Sequence, residues 1–344
     1  MSMAGYHLQT CIWELTLKCT YACKHCGSRA GRQRKGELDT AEALGVASQL
    51  VDIGCQRVVL IGGEVFLRED WDVIASHLSN GGVEVSIITN GSCLTDLVFD
   101  RMHAAKIGYI GVSVDGIKDN HDAMRMPGSF DVAMRAIEES KQHGLTVAVV
   151  TVLTSKNVGD VGSLYSELAD RGVDVWQLQL CSPFGNVRHA AGIVPSGDAI
   201  ADALSFIAEK AREFQAGRSS MNVVAADNMG YYTDDESTIR GYLGGAFPGC
   251  SAGLSVIGID SIGNVRGCES LYDERFIEGN LRERTLESIW DDSNAFAYNR
   301  HFTKEQLGGK CKYCAEGCRC AAGCRSINYF TTGNMYESVT CTHA

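Results

Sequence analysis

The chain has 344 residues, 45% of them hydrophobic, enough for one large domain and a smaller one. Its net charge of −11 sets it apart from proteins that neutralise a phosphate backbone with Lys and Arg, so no nucleic-acid partner is expected. The N-terminus shows no basic segment leading into an apolar one, and no apolar run is long enough to span a bilayer; no membrane is expected, and the chain reads as cytoplasmic.

Through the first two-thirds, short β-rich apolar runs alternate with amphipathic stretches. Strands are predicted over 11–17, 57–61, 84–89, 109–113, 146–152 and 174–180. Helices are predicted over 40–53, 71–79, 94–105, 130–142, 158–170 and 198–214. Gly54, Gly108, Gly144 and Gly172 stand where helices should end in left-handed caps. Six β–α units predict an α/β fold with a parallel sheet and right-handed crossovers. Periodicity fits an open doubly wound sheet and an incomplete barrel alike; both keep the ligand site at the carboxyl ends of the strands. Near Met221 the alternation gives way to Gly-rich loops and cysteines. We therefore expect a core over 1–220, a bridge over 221–248 and a small domain over 249–344 that needs metal to hold it together. Arg29, Arg32, Arg34 and Lys35 form a local basic stretch, read as a solvated loop, with contact to an anion or acidic peptide as the alternative.

Fifteen cysteines in a chain without an export signal favour metal or redox chemistry over disulfides. Three of them, Cys19, Cys23 and Cys26, follow the first predicted strand closely. Three thiolates spaced C-x3-C-x2-C can ligate three irons of a cubane and leave the fourth open, which is what a catalytic metal site requires. Structural zinc is the alternative, but it usually takes four ligands, and only His25 stands nearby as an extra.

This motif and its position resemble the radical S-adenosylmethionine (SAM) superfamily, whose signature lies after the first strand of a partial (β/α)6 TIM-type barrel. The resemblance implies that SAM chelates the open iron. It further implies that reductive cleavage yields a 5′-deoxyadenosyl radical, which takes hydrogen from a substrate. Gly62-Gly63-Glu64 ends the second predicted strand, where the family holds the methionyl amine of SAM. Thr89-Asn90-Gly91 ends the third, and Ser113-Val114-Asp115-Gly116 ends the fourth, near the expected ribose position. Arg125 follows on the next turn and is expected to pair with the SAM carboxylate. Each short motif alone reads equally well as a turn or a cap; their order along the strands carries the resemblance.

Cys250, Cys268, Cys311, Cys314, Cys320, Cys324 and Cys341, with Gly263 opening a G-x4-C, resemble the seven-cysteine SPASM domain of peptide- and protein-maturing radical SAM enzymes. Gly279-Asn280-Leu281-Arg282-Glu283 and the segment through Trp290 also look like that domain's middle. The resemblance implies two auxiliary [4Fe-4S] clusters, one on Cys311, Cys314, Cys320 and Cys341, the other on Cys250, Cys268 and Cys324. For the missing eighth ligand, Cys318 and an open or non-cysteine position stand as equal readings. A pair of zinc knuckles is the alternative for the whole region.

Cys11 and Cys55 read as small core residues. Cys93 and Cys181 follow the third and sixth strands and face the expected site; Cys181 is the better candidate for a thiol that returns hydrogen to a substrate radical. The functional expectation is hydrogen abstraction from a ribosomally made precursor peptide, leading to a crosslink, epimerisation or oxidation. A small-molecule radical SAM dehydrogenase or cofactor-biosynthesis enzyme is the second reading, and a non-enzymatic electron-transfer or zinc scaffold the third. With the first strand beginning near residue 11, no room is expected for an N-terminal peptide-recognition domain, so a separate leader-binding protein or the barrel itself should recognise the peptide. An electron donor such as flavodoxin or ferredoxin is expected.

Overall fold

A run such as Thr146–Leu153, TVAVVTVL, is β-branched on both faces, the pattern of a strand covered on both sides in a parallel sheet. The computed structural model describes residues 5–188, 190 and 192–343. In chain order the six expected strands are β1 Thr10–Glu14, β2 Arg57–Ile61, β3 Glu84–Thr89, β4 Tyr109–Ser113, β5 Thr146–Leu153 and β6 Val175–Leu180. They pair in that order, each parallel to the last. The helices α1 Thr40–Asp52, α2 Trp71–Asn80, α3 Asp96–Ala104, α4 Lys118–Met124, α5 Ser129–Gln142, α6 Val161–Asp170 and α7 Gly197–Gln215 fill the connections. α4 had no counterpart in the sequence reading. Among the described residues no helix is long and apolar enough to cross a membrane.

Local chemistry explains the helix ends. Asp39 caps α1 by accepting from the Glu42 amide at 2.9 Å, and the Glu42 carboxylate in turn accepts from the Asp39 amide, a capping box. Ala43, Val46, Ala47 and Leu50 then form its buried face at helical spacing. Gly54, Gly144 and Gly172 adopt the left-handed conformation expected of them. Gly108 does not. After α3 the positive φ falls on Lys106, whose amide bonds to His103 O and whose ammonium donates to Asn80 Oδ1 at 2.9 Å, so the chain has turned two residues before the glycine.

The sheet runs beyond the six strands. β7 Asn222–Ala225 adds in parallel to β6, and β8 Val256–Ile259 adds in parallel to the opposite side of β1. Two short antiparallel strands, β9 Asn264–Arg266 and β10 Gly279–Asn280, complete a ten-stranded sheet in the order β10-β9-β8-β1-β2-β3-β4-β5-β6-β7. The architecture is α/β, a partial barrel followed by a cysteine-rich region. β7 lies in the stretch read as a bridge and β8 in the stretch read as the small domain, so the hydrogen-bonded sheet is continuous through both.

Trp13, Trp71 and Trp176 are fully buried in the main core. Beyond residue 226 Ile257, Ile259, Val265, Ile289, Trp290 and Phe296 join the main core, and smaller apolar groups form beside it: Tyr231, Phe247 and Cys320; Leu271, Phe276 and Met335; Leu307, Cys311 and Ala322. Two buried arginines gather backbone carbonyls there. Arg240 donates to Ala225, Ala226, Met229 and Gly230, and Arg325 donates to Ala321, Met335 and the Asn299 side chain. The small groups around Cys311, Cys320 and Cys268 bury little apolar surface by themselves, the situation in which a metal contributes folding energy.

Candidate active site

Alternate residues of the strands point into the barrel. Glu14 of β1, Ser86 of β3, Ala148 of β5 and Gln177 of β6 all border one cavity of about 820 Å³. Small side chains at mid-strand keep it from filling; on Gly111 of β4 even a Cβ would collide with Ile88. At the carboxyl ends of the strands the same cavity is bordered by Cys19, Cys23, Cys26, Gly62, Gly63, Asn90, Ser113, Arg125 and Cys181.

The loop after β1 carries the first three thiols to this mouth. Gly62 and Gly63 let it approach: a Cβ on Gly62 would stand 2.6 Å from Thr16 O, and the Gly63 amide donates to that same oxygen at 2.7 Å. Glu64 does not face the cavity. Its buried carboxylate accepts from Thr89 Oγ1 at 2.8 Å and from the Asn90 amide at 2.9 Å, tying the end of β2 to the end of β3. Burial pushes its carboxyl up to about 7 against those donors. Asn90, held in this way, reaches Cys19 Sγ with Nδ2 at 3.7 Å.

Asp115 is wholly buried. Its Oδ2 accepts from Arg125 Nε at 2.6 Å and faces His25 Nε2 at 3.0 Å, and its Oδ1 accepts from the Val152 amide at 2.8 Å. Burial alone would raise its carboxyl; Arg125, then His25, outweigh that and hold it well below the usual carboxylate range. Asp115 therefore positions Arg125 and His25 and is not itself at the cavity surface, where the sequence reading had expected a cofactor contact. Arg125 and His25 do border the cavity, and His25 Nδ1 is buried without a partner. Burial raises the Cys19 thiol and pushes that of Cys23 up to about 11, so taking up iron would release protons.

The C-terminal thiols fall into two groups. Cys250 and Cys268 both raise the pKa of Cys324, after burial, and Cys250 likewise raises that of Cys268, so each opposes ionisation of its neighbour. Cys341, Cys311 and Cys314 act together on Cys320, whose thiol is pushed up to about 12, chiefly by burial. These are the two sets implied by the resemblance. Cys318 is exposed, unlike the thiols of both groups. Among the described residues no three Cys, His, Asp or Glu groups converge as the ligands of one ion do. Thiolates of a cubane each bind a different iron, so wider spacing suits a cluster better than a lone zinc. Cys268 and Glu269 border the same cavity as the first three thiols.

Cys181 is buried beside the cavity, and burial pushes its thiol up to about 12, so it is a neutral S–H at neutral pH. Cys93 lies 3.6 Å from Ser92 Oγ and is not part of the cavity wall. Cys11 and Cys55 are packed in the core. The basic stretch is not simply solvated: Arg34 turns inward to Glu14 at 3.2 Å and bonds to Tyr272, and Arg29 donates to Gly185 O at 2.9 Å. Glu14, Glu269 and Tyr272, all at the cavity wall, were not singled out in the sequence. A glutamate closing an otherwise apolar strand, Thr10–Glu14, was the available signal for the first.

A hollow α/β barrel with thiols at its mouth and two further thiol groups, one reaching the same cavity through Cys268, defines a class of enzyme that works with iron–sulfur clusters. Residues 13–168 match the family model of the radical SAM superfamily, and 250–319 match that of the SPASM iron–sulfur cluster-binding domain. The chain belongs to the radical SAM superfamily, carries a SPASM domain, and uses [4Fe-4S] clusters and SAM. It is 28% identical to the mycofactocin maturase MftC of Mycobacterium tuberculosis over 95% of this chain and 81% of that one. To the AdoMet-dependent heme synthase of Methanosarcina barkeri it is 27% identical over 94% of this chain and 93% of that one. Its fold matches Streptococcus suis SuiB bound to S-adenosylmethionine with a TM-score of 0.77 at 17% identity, covering 97% of this chain and 76% of SuiB.

Proposed function

We propose that the chain modifies a ribosomally made precursor peptide by hydrogen abstraction, leading to a crosslink, an epimerisation or an oxidation. The observation that carries this reading is the shared cavity, with Cys19, Cys23 and Cys26 at one side and Cys268 at another. A side chain inserted there lies between the catalytic cluster and an auxiliary one. The similarity to MftC maturases supports a peptide. We divide the chain into a core over 1–220, a bridge over 221–248 and an auxiliary-cluster domain over 249–344.

Cys19, Cys23 and Cys26 would hold the catalytic cluster, which supplies one-electron cleavage of SAM when loaded. Arg125, oriented by Asp115, offers a cation for the SAM carboxylate at the cavity wall, and Asn90 and Ser113 offer polar contacts. Gly62 and Gly63 present backbone rather than side chain there. The barrel wall around Val59, Ile88 and Val150 excludes water from whatever occupies the centre. Cys181 stands ready as a hydrogen donor; Cys181→Ala should then still consume SAM with peptide but fail to place solvent deuterium in the product.

The test is anaerobic incubation with SAM, a reductant and candidate precursor peptides, with mass spectrometry of peptide and 5′-deoxyadenosine. Peptide-dependent 5′-deoxyadenosine with a matching peptide mass change supports the reading. The similarity to heme synthases, across 93% of the M. barkeri enzyme, favours a second one, a small-molecule substrate. Turnover of a tetrapyrrole with no response to any peptide would decide for it.

A further inference from the structure

The short turn Gly185–Val187 after β6 lies against the loop that carries the first three cysteines. The Asn186 amide donates to Cys26 O at 3.0 Å, and Asn186 Nδ2 donates to Cys23 O at 2.9 Å. One residue thus holds the carbonyls of two of the three cysteines. Gly185, with φ of +62°, sits so close that a Cβ would collide with the Cys26 and Gly27 carbonyls. Arg29 returns a bond from the loop to Gly185 O. On its other side the same turn meets the C-terminal region. Phe184 stacks on Phe330 at a centroid distance of 5.1 Å, and its ring also covers Gly27, where a Cβ would stand 2.5 Å from Cε2. Phe330 belongs to the helix Arg325–Thr332, whose N-cap is Cys324. Arg188 adds an ion pair to Asp273 at 3.6 Å.

We propose that Asn186 is a positioning residue for the catalytic-cluster loop, and that the Phe184–Phe330 stack makes its position depend on the helix that begins at Cys324. The auxiliary site built on Cys250, Cys268 and Cys324 thereby sets the order of the loop on which Cys23 and Cys26 sit. This rests on the assignment of Cys19, Cys23 and Cys26 as the catalytic set. Hydrogen exchange tests the linkage without that assignment, because it reads the loop whether or not a cluster is bound there.

Three variants decide it: Asn186→Asp, which keeps the shape and removes the Nδ2 donor, Asn186→Ala, and Phe330→Ala. Each is reconstituted anaerobically and compared for iron per chain, for hydrogen exchange, and for the change SAM causes in the electron paramagnetic resonance spectrum of the reduced protein. The expected result is unchanged iron and about fivefold faster exchange at 24–30 in both Asn186 variants, the effect of one lost neutral hydrogen bond. Exchange in α5 should stay as in the parent, and the SAM-dependent spectral change should need more SAM to saturate. Phe330→Ala should speed exchange over the same residues. Parental exchange at 24–30 together with a parental SAM response in Asn186→Asp would overturn the positioning role. Faster exchange in the Asn186 variants with none in Phe330→Ala would overturn the link to the auxiliary helix.

Discussion

Replacing Asp115 with Asn leaves Arg125 in a nearly closed site, its side chain 10% exposed, facing an amide instead of a carboxylate. Breaking one partner out of a buried ion pair costs about 3–5 kcal/mol, because the remaining charge has lost both water and its counter-charge. An unfolding entropy of about 2.1 cal/mol/K per residue over the 344 residues makes 1 kcal/mol worth about 1.4 °C of Tm. The expected fall is therefore about 4–7 °C, measured by thermal denaturation under anaerobic conditions at one fixed scan rate. Asp115 also faces His25, so affinity for SAM, measured by equilibrium dialysis, should weaken along with Tm. The double variant Asp115→Asn/Arg125→Leu removes the stranded charge and should lose less than the two single changes summed. A fall of under about 1 °C for Asp115→Asn, or strict additivity in the double variant, would refute the reading of Asp115 as the counter-charge that holds Arg125.

Converting Cys19, Cys23 and Cys26 together to Ala should abolish 5′-deoxyadenosine formation while leaving about eight of roughly twelve irons per chain, by the four-iron count of each cubane. Unchanged SAM cleavage in that variant rules the assignment out. Cys318→Ser should leave iron content as in the parent, since the thiol is exposed where those of both C-terminal groups are buried or half-buried; loss of iron would return Cys318 to the ligand set. Stability should also depend on pH. Burial raises Glu14 and Glu64 to about 7 from an ordinary value near 4.5, so the unfolded chain loses these protons first and stability declines as pH rises towards and through 7. Burial, then Arg125, lowers His121 to about 4, which works in the opposite sense only between about 4 and 6.5. From pH 6.5 to 8 each carboxyl should therefore cost about 1 kcal/mol in guanidinium unfolding, and Glu64→Gln should flatten the slope. A midpoint that rises over that interval contradicts this account.

The six β–α units and the three thiol groupings were legible because each rests on local information, a period or a spacing. β7 and β8 were not, since four residues such as Asn222–Ala225 make too short a run to register, and what recruits them is the open edge of a sheet formed elsewhere. Gly108 misled because a glycine near a helix end is only permissive, and the turn had closed on Lys106. At the site, Ser-x-Asp-Gly drew attention to Asp115 as a SAM contact, and the structure places its carboxylate against Arg125 and His25. Sequence gives the residue at a strand end, whereas burial decides that its carboxylate serves Arg125 and His25. Asn186 carries no motif at all; its importance lies in a meeting of two loops 163 residues apart.

The pairing of β8 with β1 bears on how the molecule is made. Glu14 at the end of β1 accepts from the Ser261 amide 247 residues later, so β1 stays an unpaired edge on one side until the segment that carries β8 has been made. Contacts of such long range are slow to form, and during that wait an edge strand lies open to wrong partners. The thiols at 19, 23 and 26 follow directly on that strand. Truncation after residue 220 leaves that side of β1 without β8 and should yield a protein prone to aggregate rather than a smaller working core.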